Sequence, residues 1–184
     1  MAPMICEPYS VRALTLWQPY ASAVAALGKD IENRGWSPGN YRGLILVHAG
    51  KATDRAALRY VPQDLTLPRS AVVAIARIAG AHTDCAGECS PWADQDSTWH
   101  LELSGAVQLP TPVTQVTGRQ RIWVPDDALR QRVAAALPPG AACLAAHLRK
   151  EPGACTGGAV AYGADSTTPA PAKENAACPC APTR

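Results

Sequence analysis

The order of the strand-like and helix-like segments constrains the fold of this chain most. Six short apolar segments suited to β-strands begin at residues 11, 31, 44, 70, 99 and 120. Helical patterns occur near the start, the middle and the end, over 19–27, 51–60, 126–137 and 141–150. This is not the regular alternation of a doubly wound parallel sheet. We therefore expect an α+β protein, a small mixed β-barrel of about six strands with flanking helices.

Two local patterns fix parts of that fold. Pro19 and Gly28 mark the expected start and end of the first helix. The run 44–48 is apolar throughout, which predicts a strand buried on both faces. Its last residue, His48, is expected to be a hydrogen-bonded core histidine and not a catalyst.

The composition changes at Glu151. Beyond it the chain consists largely of Ala, Gly, Pro, Ser and Thr, with almost no large apolar residue. Such a segment buries too little apolar surface to offset the entropy of ordering it. We expect one domain over 11–150 and a disordered Ala/Pro-rich tail over 151–184.

Composition also restricts the compartment. No apolar run approaches the roughly 18 residues of a membrane span, and residues 1–10 lack the pattern of a signal peptide. The seven cysteines are an odd, unpatterned set, which favours reduced thiols over a disulfide framework. We expect a cytoplasmic protein without a membrane partner.

Charge is distributed unevenly along the chain, although the formal net charge is only +2. Residues 29–77 contain eight Lys/Arg and four Asp/Glu, whereas residues 84–102 contain five acids and no Lys or Arg. The pattern is typical of a basic face, suited to phosphate, beside an acidic loop. Two solvated surfaces without a partner would give the same pattern.

Three charged residues follow the first helix closely. Glu32 and Arg34 project to the same face of an extended segment, and Lys29 stands at the turn that leads into it. A buried carboxylate must be paired, and the guanidinium of Arg34 is well shaped to hold Glu32. The group is either a ligand-binding cluster or an ion pair that only stabilises the fold.

Aromatic and basic residues alternate around this trio. Trp17, Tyr20 and Trp36 could stack on bases while Arg42 contacts the backbone of a nucleic acid. Trp and Tyr also serve as ordinary core and rim residues, and we expect that role for at least two of the four rings when Tyr41 is included. Arg119 and Arg121 alternate on the predicted last strand and could extend the basic surface, or could simply be solvated.

These motifs resemble a known family. The segments 17–22 (Trp-Gln-Pro-Tyr-Ala-Ser), 28–34 (Gly-Lys-Asp-Ile-Glu-Asn-Arg), 41–43 (Tyr-Arg-Gly) and 118–123 (Gly-Arg-Gln-Arg-Ile-Trp) are similar to the ASCH domain, the activating signal cointegrator homology family of the PUA-like superfamily. The resemblance covers about residues 11–137. It implies a small β-barrel with packed helices and a cleft lined by the charged segment, and family members are associated with RNA or DNA binding.

A bacterial branch of the family implies an enzymatic alternative. It hydrolyses N4-acetylcytidine with a Lys at the position of Lys29, a Thr nucleophile three residues further on and a distant Glu. This chain has Glu32 at the Thr position, and a carboxylate cannot replace a hydroxyl nucleophile without a change of mechanism. Lys29 could still act as a base while Glu32 orients water, although Glu32 stabilises the ammonium form and so opposes this role.

The acidic loop raises the question of a metal. His82, Cys85, Cys89 and His100 include the donors of a zinc site, but their spacing is loose. We expect incidental thiols and predict no metal or cofactor.

The sequence thus predicts binding of RNA, single-stranded nucleic acid or a modified nucleoside in a basic, aromatic-lined cleft. The alternatives are a hydrolase acting on RNA or an acylated nucleoside, with Lys29 and Glu32 catalytic, and a non-catalytic protein-interaction module. The predicted binding residues are Lys29, Glu32, Arg34, Trp17, Tyr20, Trp36, Arg42, Arg119 and Arg121.

Overall fold

A computed structural model describes residues 10–151. It contains six strands: β1 (Val11–Gln18), β2 (Ile31–Arg34), β3 (Gly43–Thr53), β4 (Ala71–His82), β5 (Trp99–Val113) and β6 (Ile122–Trp123). The helices are α1 (Tyr20–Ala26), α2 (Asp127–Ala136) and α3 (Ala142–Arg149), with short 3₁₀ helices at Ala57–Tyr60 and Pro139–Ala141. Apart from Glu151, the tail predicted to be disordered lies outside the described residues.

The six strands form one mixed sheet in the order β2-β5-β4-β3-β1-β6. The β1–β3 pair is parallel, and the other pairs are antiparallel. Within residues 10–151 the edge strands β2 and β6 do not pair with each other, so the sheet is not a closed barrel. The predicted α+β class, the six strands and the flanking helices are confirmed.

Alternating residues of the central strands pack into two apolar clusters. Leu44 and Leu46 join the cluster that contains side chains of α2 and α3. Ile45 and Val47 join the cluster that contains side chains of α1. The continuous apolar run is therefore a strand buried on both faces, as its pattern predicts.

One predicted helix is wrong. Residues 51–53 extend β3, and only Ala57–Tyr60 is helical, as a 3₁₀ turn. Gln18 pairs with Thr53 in the sheet, so tertiary pairing outweighs the helical preference of this Ala-containing segment. The last strand is also shorter than the predicted 120–124, and it contains only Ile122–Trp123.

The described residues contain no helix that is both long and apolar enough to cross a membrane.

His48 is the core histidine that the sequence predicts. It is 1% exposed, its Nδ1 lies 3.2 Å from Thr15 Oγ1, and its Nε2 lies 3.1 Å from the Val116 carbonyl. Gly118 packs directly on this network, since a Cβ atom there would lie 2.6 Å from the His48 ring and 2.6 Å from Thr15 Oγ1. The lack of a side chain at Gly118 is therefore a packing requirement.

We expect Gly118→Ala to lower the free energy of unfolding by about 1–3 kcal/mol, because the added methyl group displaces a buried, hydrogen-bonded ring. Urea denaturation measures the loss. Gly140→Ala is the matched control, since a Cβ atom at Gly140 meets nothing within 4 Å. Equal stability of the two variants would contradict the packing account.

Burial lowers the pKa of His48, and this effect exceeds the opposite influence of the Val116 carbonyl. In acid, His48 is therefore protonated more readily in the unfolded chain than in the native chain. The stability that neutral His48 contributes is present above the unfolded pKa of about 6.5 and is lost as the pH falls below it. As the pH falls below about 6.5, we expect the free energy of unfolding to decrease more steeply in the wild type than in His48→Gln. Identical slopes in the two proteins would refute this prediction.

Candidate functional site

A pocket of about 320 Å³ lies where β1 and β2 end beside α1. It brings together five of the nine predicted binding residues. They are joined by four residues to which sequence analysis assigned no role. The pocket is lined by Trp17, Tyr20, Lys29, Glu32, Asn33, Arg34, Asp54, Asp94 and Ser97.

The three predicted charges meet at its base. Glu32 Oε1 lies 2.8 Å from Arg34 Nη2, and Glu32 Oε2 lies 3.2 Å from Lys29 Nζ. The side chains of Lys29 and Glu32 are only 1% and 8% exposed, and that of Arg34 is 22% exposed. The carboxylate is thus a nearly desolvated anion held between two cations, as burial of a charge requires.

Local structure sets the position of Lys29. Gly28 has a φ of 68°, a left-handed conformation that ends α1 and that glycine adopts without strain. The Lys29 ammonium donates to the Ile31 carbonyl. It also lies 5.8 Å from the ring centre of Tyr20 and 5.9 Å from that of Trp92. Carboxylate, carbonyl and rings together compensate for the water that Lys29 loses.

The two aromatic residues at the rim differ in exposure. Trp17 lies where the register of the β1–β3 pair shifts, between Leu16 and Gln18, and 59% of Trp17 is exposed. Irregularities of this kind often redirect a side chain beside a functional site. Trp17 therefore presents a large ring to solvent at the pocket.

Tyr20 is held firmly instead. Its hydroxyl donates to Asp54 Oδ2 at 2.7 Å, and Asp54 Oδ1 accepts from the backbone N–H groups of Ala56 and Ala57. Burial, and then the hydrogen bond to Asp54, raises the pKa of Tyr20 to about 12. The same hydrogen bond lowers the pKa of Asp54. At neutral pH Tyr20 is a protonated donor with a fixed ring.

Asn33 attaches the acidic loop to this site. Its Nδ2 donates to the Trp92 carbonyl at 2.8 Å, and its Oδ1 accepts from the Asp94 N–H at 3.0 Å. The loop thereby supplies Asp94 and Ser97 to the pocket wall. In the sequence, only the position of Asn33 between Glu32 and Arg34 hints at a role in the site. Nothing in the sequence shows that the acidic loop folds back onto Asn33.

The pocket is less basic than the sequence predicts. Its lining contains two cations, Lys29 and Arg34, and three carboxylates, Glu32, Asp54 and Asp94. The formal charge of this lining is therefore −1. Fixed donors and acceptors, more than net positive charge, define what it can bind.

The remaining predicted residues lie outside the pocket lining. Trp36 lies beside Arg34 and Arg121, whose guanidinium carbons are 5.7 and 5.6 Å from its ring centre. Arg42 donates to the carbonyls of Gly39 and Tyr41. Arg119 and Arg121 are exposed, and they precede β6 instead of alternating on it.

The structure also brings the four potential zinc ligands together. The donor atoms of His82, Cys85, Cys89 and His100 all lie within 4.8 Å of one another. Loose spacing in the sequence thus did not prevent a compact cluster.

Comparison with known proteins gives a structural likeness only. No family model matches the chain, and no curated protein matches it in sequence. The crystal structure of ASCH from Zymomonas mobilis is similar, with a TM-score of 0.48 and 14% sequence identity, over 71% of this chain and 97% of that chain.

Proposed function

We propose that this chain binds single-stranded RNA, with one base, unmodified or modified, seated in the pocket. The observation that carries the proposal is Trp17, which is 59% exposed at the rim of a polar pocket whose floor is fixed by buried ion pairs. A large exposed ring beside such a pocket is suited to stacking on an unpaired base.

The floor of the pocket favours a base edge over a phosphate. Glu32 is a fixed hydrogen-bond acceptor, and Asp54 and Asp94 add negative charge. Carboxylates accept hydrogen bonds from the amino groups of bases, as Glu and Asp do from the N4 amino group of cytosine. We therefore expect bases with an exocyclic amine to bind better than uracil.

Phosphate contacts are assigned to the surface next to the pocket. Arg34, which lines the pocket and pairs with Glu32, and the exposed Arg121, which lies outside the lining, both lie beside the Trp36 ring. Guanidinium groups bind phosphate oxygens well because of their fork of donors. A strand whose base enters the pocket would place its backbone toward this arginine pair.

The geometry favours binding over hydrolysis by Lys29. Its ammonium is paired with Glu32 and donates to a backbone carbonyl, so its N–H groups already have acceptors. A charged amine cannot act as a general base.

The test is a binding titration with fluorescently labelled RNA 12-mers of cytosine, adenine or uracil, together with the matching DNA and a duplex. We expect single-stranded RNA with amino-bearing bases to bind best, with an affinity that falls modestly as salt rises, because few phosphates are contacted. If none of these nucleic acids binds, the proposal is refuted. Hydrolysis of N4-acetylcytidine that is lost in Lys29→Ala would instead establish the enzymatic alternative.

A further inference from the structure

A second cluster lies outside the pocket, at the end of the sheet. His82 ends β4 and His100 lies near the start of β5, and the two residues are direct partners in the antiparallel ladder. Paired residues of a ladder present their side chains on the same face. The loop between these strands supplies Cys85 and Cys89.

The distances within the cluster are short. Cys85 Sγ lies 3.2 Å from Cys89 Sγ and 2.8 Å from His100 Nδ1, and Cys89 Sγ lies 3.5 Å from His100 Nδ1. The two cysteines are not joined by a disulfide. Zinc bonds of about 2.0–2.3 Å place tetrahedral ligand atoms about 3.3–3.8 Å apart. Small shifts of these side chains would therefore accommodate an ion.

Neighbouring acceptors orient both imidazoles. His100 Nε2 lies 2.9 Å from the Asp94 carbonyl, which fixes a proton on Nε2 and leaves the Nδ1 lone pair toward the sulfurs. His82 Nδ1 lies 2.8 Å from Glu102 Oε1, and His82 Nε2 is buried without a hydrogen-bond partner among the described residues. Metal-binding histidines are oriented in this way by a carboxylate or carbonyl on the second nitrogen.

We propose that His82, Cys85, Cys89 and His100 bind one Zn²⁺ ion in a tetrahedral site. Two thiolates neutralise the charge of the ion, and two imidazoles complete the four ligands of a structural zinc centre, with no position left for a substrate. The ion replaces the thiol protons, which are released to solvent.

The expected role of the ion is to hold the pocket wall. Residues 83–98 contain no helix or strand, yet this loop places Trp92 over Lys29 and places Asp94 at the pocket. His100 connects the cluster to that wall through the Asp94 carbonyl. A metal bound at the base of the loop would supply the order that secondary structure does not.

The first test is the metal content of the full chain, purified without an affinity tag under reducing conditions. We expect about one zinc per chain by mass spectrometry, and after exchange with Co²⁺ the intense visible absorption of a tetrahedral thiolate site. Wild-type protein that holds no zinc and takes up neither Zn²⁺ nor Co²⁺ would overturn the proposal, whatever the variants do.

Variants locate the ion. The double variant Cys85→Ser/Cys89→Ser is expected to lose it. Cys143→Ser on α3 and the tail variant Cys178→Ser/Cys180→Ser should each retain one equivalent. Loss of zinc in the tail variant, with retention in the loop variant, would place the metal elsewhere and refute this site.

Hydrogen exchange of the wild-type protein tests the structural role. After removal of zinc by a chelator, we expect exchange to rise in residues 83–98 while the central strands β3 and β4 stay protected. Unchanged exchange in the loop would contradict the role in holding the wall. This readout does not depend on RNA binding, so failure of the zinc site and failure of the proposed function are distinguishable.

Discussion

Glu32→Ala is expected to lower the free energy of unfolding by about 3 kcal/mol. The substitution leaves the Lys29 ammonium, whose side chain is 1% exposed, without its carboxylate. Breaking a buried ion pair in this way typically costs about 3–5 kcal/mol. The lower end applies because Arg34 is 22% exposed and can be hydrated.

Urea denaturation measures this loss, with Asp64→Ala, at an exposed loop carboxylate, as the control. The double variant Lys29→Met/Glu32→Gln should lose less unfolding free energy than its two single variants lose together, because it leaves no uncompensated buried charge. A loss below about 1 kcal/mol for Glu32→Ala would show that the pair behaves like an exposed one.

Trp17→Ala is expected to weaken RNA binding by about 10- to 100-fold without a comparable loss of stability. Stacking of one base on an aromatic ring is worth about 1–3 kcal/mol, and an exposed ring contributes little to the core. Tyr60→Ala is the matched control, since Tyr60 is 74% exposed and does not line the pocket.

Fluorescence anisotropy with the best-bound 12-mer compares the three proteins. Trp17→Phe should retain most of the affinity, because it keeps a ring. Equal affinities of Trp17→Ala and the wild type for the RNA would show that Trp17 does not stack on a base.

The elements that local patterns specify were predicted well, and those that depend on distant pairing were not. Pro19, Gly28 and the apolar run 44–48 mark their elements directly in the sequence. Residues 51–53 are strand only because β3 continues alongside β1, where Gln18 meets Thr53. No local pattern reveals that partner.

The candidate site likewise combines residues that local sequence places together with residues from distant segments. Lys29, Glu32 and Arg34 are close in sequence, so their convergence could be inferred from a turn and a short extended segment. Asp54 and Asp94 come from distant loops, and they reverse the predicted sign of the lining's charge. The spacing of the Cys and His residues disfavours a metal site, because only the pairing of β4 with β5 shows that His82 lies opposite His100.

Photo-crosslinking tests most directly whether a base enters the pocket. A single-stranded RNA that carries one photoreactive 5-iodocytidine among uracils, so that the labelled base keeps the amino group expected to enter the pocket, is irradiated with the full chain, and the attached peptide is identified by mass spectrometry. The account predicts attachment at Trp17 or Tyr20 and competition by unlabelled RNA. Crosslinks confined to α2 and α3, on the other side of the sheet, would contradict it.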